Sequence, residues 1–314
     1  MRTPDIKAVQ SFWHSSPCGL PEDYFRAPDK KAALEEIRRE RYVNQGRIIL
    51  YGDFQSFKDK RVLEIGCGIG GDGMLFARYG ARYTGVDLTE AGVRIAKENF
   101  NISGLSGQFV QANAEELPFQ DNYFDHIYSF GVIHHSPSPE KITEEMYRVL
   151  KPGGTIMAML YNRTSFYYLL EIMLVRRIFF LFCDRNIAIL RKVFRIFGEK
   201  NYRRMEAYRH KLALVKKANP HPTHFEWVSM NTDDVFCPIA RVYSRGEAKK
   251  LMCKFLNFKT EAWFIDEENW FLWLALGRFL PAAIKQWLES HFGWFRMIMA
   301  GKAAKAEIGM EVGI

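Results

Sequence analysis

Three glycines, Gly66, Gly68 and Gly70, and a carboxylate twenty-one residues after the first, Asp87, are the residues whose spacing most plainly implies chemistry. They belong to the stretch Arg61-Val62-Leu63-Glu64-Ile65-Gly66-Cys67-Gly68-Ile69-Gly70-Gly71-Asp72-Gly73. Its apolar start reads as a buried strand, which the glycines turn tightly into a helix over about 71–79. Each glycine removes a Cβ where a ligand would approach the backbone. The next strand, Tyr83-Thr84-Gly85-Val86-Asp87, ends in the carboxylate, which at that distance suits a ligand carrying a ribose diol. His134 and His135 follow a later strand. A histidine with an unperturbed pKa of about 6.5 can take a proton from an amine, hydroxyl or activated carbon, and it can equally brace a loop.

Glu64-Ile65-Gly66-Cys67-Gly68-Ile69-Gly70 and Gly85-Val86-Asp87-Leu88-Thr89 resemble the first two motifs of class I S-adenosylmethionine-dependent methyltransferases. Gln111 to Phe119, and Phe130 to His135 through Arg148 to Gly154, agree with two later motifs in the same order. The likeness is to the small-molecule, UbiE-like members, close over 60–161 and looser over 241–300. It implies an α/β, Rossmann-like class I methyltransferase fold with a mostly parallel seven-stranded sheet and a helical cap insertion. It also implies S-adenosyl-L-methionine as cofactor, and an enzyme moving its methyl group by in-line displacement to a small, partly apolar acceptor. The acceptor atom, oxygen, nitrogen or carbon, stays open.

The resemblance assigns cofactor contacts to particular positions. Glu64 would orient the methionine amino end, with Gly66, Cys67, Gly68 and Gly70 presenting backbone to it. Asp87 and Leu88 would hold the ribose. Asn113 stands where the family more often has Asp near the adenine, and Ala114 and Glu115 would bracket the purine. Phe130 and Gly131 would lie beside the methionine portion. His134 and His135 are the catalytic candidates, with His134 equally a pocket wall. Trp13, Tyr24 and Phe25, from a segment that in relatives folds over the cofactor, join Tyr161 and His224 as acceptor contacts. These N-terminal aromatics have a second reading, cementing a helix to the sheet. His221, His224 and Asp233 have no spacing specific to a metal, and none is assigned.

The rest of the chain must position these groups. Strands are expected at 61–65, 83–87, 107–111, 123–130 and 154–161, with helices near 71–79, 89–99 and 139–150. That alternation means a parallel sheet covered on both faces. Residues 1–60 form an N-terminal helical segment, 61–161 the cofactor-binding core, 162–243 a basic, aromatic-rich helical cap, 244–300 the C-terminal part of the sheet with an apolar helical insertion, and 301–314 a flexible tail. A final strand at 294–299 is expected to insert antiparallel.

With 48% hydrophobic and 25% charged residues the composition is that of a globular domain. The net charge of +8 is concentrated: Arg163 to Lys217 holds fourteen Lys or Arg against four Asp or Glu. That surplus suits an anionic or lipid-like acceptor, and it leaves open peripheral membrane contact through the cap, and self-association. Nucleic acid is the weaker partner, because His134-His135-Ser136-Pro137 is unlike an exocyclic-amine methylation motif. An RNA or protein substrate, or a non-enzymatic cofactor-binding adaptor at a membrane surface, remain the alternatives. Five cysteines without a Cys-x-x-Cys pair, and a first stretch without a signal peptide's apolar run, lead to an expected cytoplasmic location, or one peripheral to the membrane.

Overall fold

The computed structural model describes residues 4–15, 17–18, 20–21, 24–183, 199–264 and 279–304. In chain order the elements are α1 (Ile6–Ser15), α2 (Lys30–Asn44), α3 (Arg47–Gly52), β1 (Arg61–Ile65), α4 (Gly73–Arg78), β2 (Arg82–Asp87), α5 (Glu90–Ile102), β3 (Gln108–Gln111), β4 (Phe124–Phe130), α6 (Pro139–Val149) and β5 (Leu150–Asn162). There follow a π-helix (Tyr167–Val175), α7 (Arg176–Phe182), α8 (Glu199–Ala218), α9 (His224–Ser229), β6 (Val242–Tyr243), α10 (Arg245–Leu251), β7 (Leu256–Trp263), α11 (Ala282–Phe292) and β8 (Phe295–Gly301).

Val62, Leu63 and Ile65 have no exposed surface, so β1 is an interior strand of the sheet. Each such side chain contributes about 1.5–3 kcal/mol on burial. The strand order is β3-β2-β1-β4-β5-β8-β7. β1 pairs in parallel with β2 and β4, β2 with β3, and β4 with β5. β8 runs the other way, because Gly153 N donates to Lys302 O (2.9 Å) while Asn162 N donates to Trp294 O (2.8 Å). An eighth strand joins the expected seven: Tyr161 and Asn162 pair with Val242 and Tyr243 of the two-residue β6.

Local chemistry sets the ends of these elements. Thr89 caps α5 by accepting from Gly92 N, and Asp29 caps α2 by accepting from Ala32 N. α4 begins at Gly73, later than the expected 71, because the preceding loop keeps glycines at positive φ. β5 starts at Leu150 instead of 154, since Gly153 joins the pairing with the last strand.

The sheet order reverses at β1: the chain steps outward from β1 through β2 to β3, then crosses back to lay β4 on the other side of β1. Ligands of doubly wound sheets bind outside the carboxyl ends of the strands at that reversal. The glycine loop, Asp87 and Phe130 all stand at those ends.

The chain divides into two compact units. The first takes residues 1–160, 245–260 and 297–314, and the second 161–244 and 261–296. The second unit thus takes in part of the 244–300 segment as well as the expected cap. Within it, Arg176 donates to Tyr167 Oη (2.7 Å) and Asn231 O (2.9 Å), and Trp227 Nε1 donates to Ile172 O (3.0 Å). In the sequence, spacing puts Ile187, Leu190, Phe194 and Phe197 on one helical face and Arg191, Lys192 and Arg195 toward another; these residues lie outside the described ones, as does 271–278.

Candidate active site

The three loop glycines are needed for two different reasons. All have positive φ: Gly66 +73°, Gly68 +50° and Gly70 +78°. A Cβ on Gly66 would stand 2.1 Å from Val132 Cγ2, and one on Gly70 would press Phe100 at 3.1 Å. A Cβ on Gly68 would meet nothing within 4 Å. Gly66 and Gly70 therefore serve packing, whereas Gly68 faces open space where a ligand can approach the backbone. Cys67, between them, is buried, which pushes its thiol pKa up and leaves only its backbone for a ligand.

Asp87 is fixed from two sides. Its Oδ2 accepts from Gly68 N (3.0 Å), and its Oδ1 accepts from Thr89 N (2.9 Å) and Thr89 Oγ1 (2.8 Å). Since Thr89 caps α5, Asp87 is not consumed as the cap. Each carboxylate oxygen has two acceptor directions, so Oδ1 is filled by Thr89 and Oδ2 keeps one direction for a ligand hydroxyl.

Behind the loop lies a buried polar network that the sequence reading missed. Arg41 Nε and Nη2 donate to Asp72 Oδ1 (3.1 Å) and Oδ2 (2.7 Å) in a bidentate pair. Tyr128 Oη donates to Asp72 Oδ2 (2.8 Å), and Tyr42 Oη lies 3.0 Å from Asp72 Oδ1. Burial works to raise the Asp72 pKa, but the Arg41 guanidinium and these hydroxyls outweigh it and the pKa is lowered. Glu64 goes the other way: burial first, then the Asp72 charge, raise its pKa well above the usual range, despite the Tyr83 hydroxyl donating to Oε2 at 2.5 Å. The Arg41 guanidinium also lies 5.1 Å from the Phe130 ring centroid. Asp72 was visible as the one charge in the glycine stretch, but nothing in α2 singled out Arg41 or Tyr42.

A "Methyltransferase domain" family model matches residues 63–158, the segment holding the loop, Asp87 and β4. That segment is similar to a methyltransferase domain. A fatty-acid O-methyltransferase of Mycolicibacterium smegmatis is 43% identical over 117 residues, covering 36% of this chain and 42% of its own. A phthiotriol/phenolphthiotriol dimycocerosates methyltransferase of Mycobacterium ulcerans is 40% identical over 100 residues, covering 31% of this chain and 36% of its own. The chain thus spans well under half the length of these relatives. A solved putative methyltransferase from Bacillus halodurans superposes with a TM-score of 0.46 at 16% identity, over 82% of this chain and 100% of its own. The fold assignment rests on the strand order.

Around this segment the remaining positions divide. Leu88 O accepts from Gln10 Nε2 (2.9 Å), which ties α1 to the β2 end, and from Gln111 Nε2 (3.3 Å). Asn113 turns its Oδ1 back to Glu115 N (3.0 Å), and Ala114 between them is half-buried. The Glu115 side chain reaches the loop before α6. Its Oε1 accepts from Ser136 Oγ (2.6 Å) and Ser138 N (3.1 Å), clamping its own loop to the start of α6. Gly131, at φ +78°, is half-buried after β4.

The histidines and N-terminal aromatics require corrections. His134 has no exposed surface, and burial, then His135, push its pKa well down. A neutral, enclosed ring is neither a base at the pocket mouth nor an open wall; it is a packing element. His135 is 4% exposed and packs edge-on against Trp13 at 5.1 Å, so it too is closed off. Tyr24 is buried, and its hydroxyl donates to Asn99 Oδ1 (2.5 Å), whose Nδ2 donates to Ile69 O (2.9 Å). It therefore anchors the N-terminal segment to the glycine loop instead of lining a pocket. Phe25 is 51% exposed.

Tyr161 and His224 belong to the second unit. There Tyr161 donates to Asp233 Oδ1 (2.8 Å) and stacks on Trp294, and His224 Nε2 lies 3.2 Å from Tyr168 Oη.

Proposed function

We propose that this chain transfers a methyl group from S-adenosyl-L-methionine to the carboxylate oxygen of an apolar, lipid-like acceptor, in the manner of the small-molecule, UbiE-like methyltransferases. The observation that carries the reading is the bracket made by Gly68 and Asp87, where an aligned carboxylate sits beside a glycine whose missing Cβ leaves open space. When bound, the cofactor supplies an electrophilic methyl on a sulfonium. The chain's residues do the rest. Asp87 accepts from a ribose hydroxyl on the one Oδ2 direction that Gly68 leaves unused. Gly68 admits the ligand to the backbone. Glu64, whose pKa burial raises, would meet the ammonium of the methionine end as a carboxylate, any proton it carries passing to solvent.

Two features favour a carboxylate acceptor. One relative's name specifies O-methylation of a fatty acid. An acid that is already ionised at neutral pH needs no general base, which suits a domain whose indicated histidines are buried. Labelled donor offered with long-chain fatty acids, phenols, amines and RNA tests the reading. Methyl esters should form from the fatty acids, with turnover flat across neutral pH. Transfer only to amines, phenols or RNA, or turnover rising with a histidine-like pKa, would overturn it.

A further inference from the structure

In the second unit the π-helix and α7 run consecutively from Tyr167 to Phe182, and they are apolar on both sides. Tyr167, Tyr168, Ile172, Phe179 and Phe180 fill the unit's interior. The opposite side carries Leu169, Leu170, Leu174, Ile178, Leu181 and Phe182, each 37–61% exposed. A surface helix of a globular protein ordinarily turns charged and polar side chains outward. Here the outward side, among the described residues of 169–182, has the single charge of Arg177, whose guanidinium lies 5.2 Å from the Trp227 ring centroid. So continuous an apolar face marks an interaction surface.

Charge decides what covers it. Arg163 to Lys217 carries fourteen basic residues against four acidic ones. In α8 alone seven Lys or Arg face two Glu. One ammonium is held at the end of the apolar stripe itself, where Lys216 Nζ donates to Leu181 O (2.9 Å). Exposed Arg163 precedes the stripe at its other end. A second copy of the same face would bring two positive segments together. An anionic lipid surface answers both properties, by attracting the cations and burying the apolar side chains in its interface. No helix among the described residues is long and apolar enough to cross a membrane, so the contact is peripheral in kind.

We propose that the outward face of residues 169–182 docks on an anionic bilayer surface, seated in the interfacial layer and held by the surrounding Lys and Arg. This goes beyond the catalytic reading and does not depend on it. The test is flotation of the full chain with phosphatidylcholine vesicles containing about a third phosphatidylglycerol, and with phosphatidylcholine alone. Binding should be at least about tenfold stronger on the anionic vesicles, and should fall in about 0.5 M salt. The double variant Leu174→Glu/Ile178→Glu should lose at least about tenfold of that binding, while its thermal unfolding and its donor affinity stay as in the parent. Should the double variant lose its folded signal, Leu181→Gln carries the same test. Absent binding of the parent to anionic vesicles, or equal binding by the variants, overturns the proposal. A concentration-dependent dimer in sedimentation velocity, lost in the double variant while vesicles are ignored, assigns the face to a second copy instead.

Discussion

The glycine loop with Asp87 and the helix at 167–182 solve opposite problems. In the first, polar groups are drawn inward and held: Asp72 by Arg41, Tyr42 and Tyr128, Glu64 by Tyr83, and Asp87 by Gly68 and Thr89. A single missing Cβ, at Gly68, makes room for a ligand. In the second, apolar side chains point outward and no single atom decides anything. A small-molecule site is therefore sensitive to one atom, whereas a docking face is sensitive to the sum of its area and charge.

The sharpest way to break this contrast is Gly68→Val. A branched residue at φ +50° is strained, and its side chain would fill the open space. Donor affinity should fall by at least about 100-fold, beyond the loss on removing any one carboxylate, as read by calorimetric titration with S-adenosylmethionine. Retained affinity would mean the loop is not the cradle.

Glu64→Gln should have an intermediate effect of mixed sign. The Glu64 pKa is raised in the folded state, so above its unfolded value the folded chain binds more protons than the unfolded one. Stability must then fall as pH rises between the two values. Glutamine imitates the protonated form and removes that loss, so Tm at neutral pH should rise, by about 2–4 °C per kcal/mol regained. Donor affinity should drop by about tenfold, because the methionine ammonium loses its carboxylate. A lowered Tm at neutral pH would show that the ionised form is the one the fold prefers.

Leu170→Ser should do least. At 41% exposure it should shift unfolding free energy by under about 0.5 kcal/mol in denaturant titration. A loss above about 1 kcal/mol would show the face to be covered within the chain.

The order of strands and the loop's course were legible because period and punctuation carried them. Apolar runs, glycines and Thr89 set β1, β2 and the start of α5, and Asp87 was marked by its distance from Gly66. The Arg41–Asp72 network was hidden, since it joins residues thirty-one apart through packing that no local pattern encodes. His134 looked catalytic because histidine near a strand end can be; burial decides otherwise, and burial is a property of the assembled chain. Tyr24 shows the same limit, as its hydroxyl is claimed by Asn99, seventy-five residues on. In 167–182 the sequence displayed apolarity on every side, yet which side the unit would cover depends on Arg176, Trp227 and Asn231 meeting behind it.

The central claim, that Gly68 and Asp87 form the donor's ribose site, is tested most directly by calorimetric titration of Asp87→Ala with S-adenosylmethionine beside the parent, with thermal unfolding in parallel. One lost hydrogen bond to a carboxylate, about 1.5–3 kcal/mol, predicts a fall in affinity of at least about tenfold in a protein that still unfolds cooperatively. Affinity within about threefold of the parent would contradict the account.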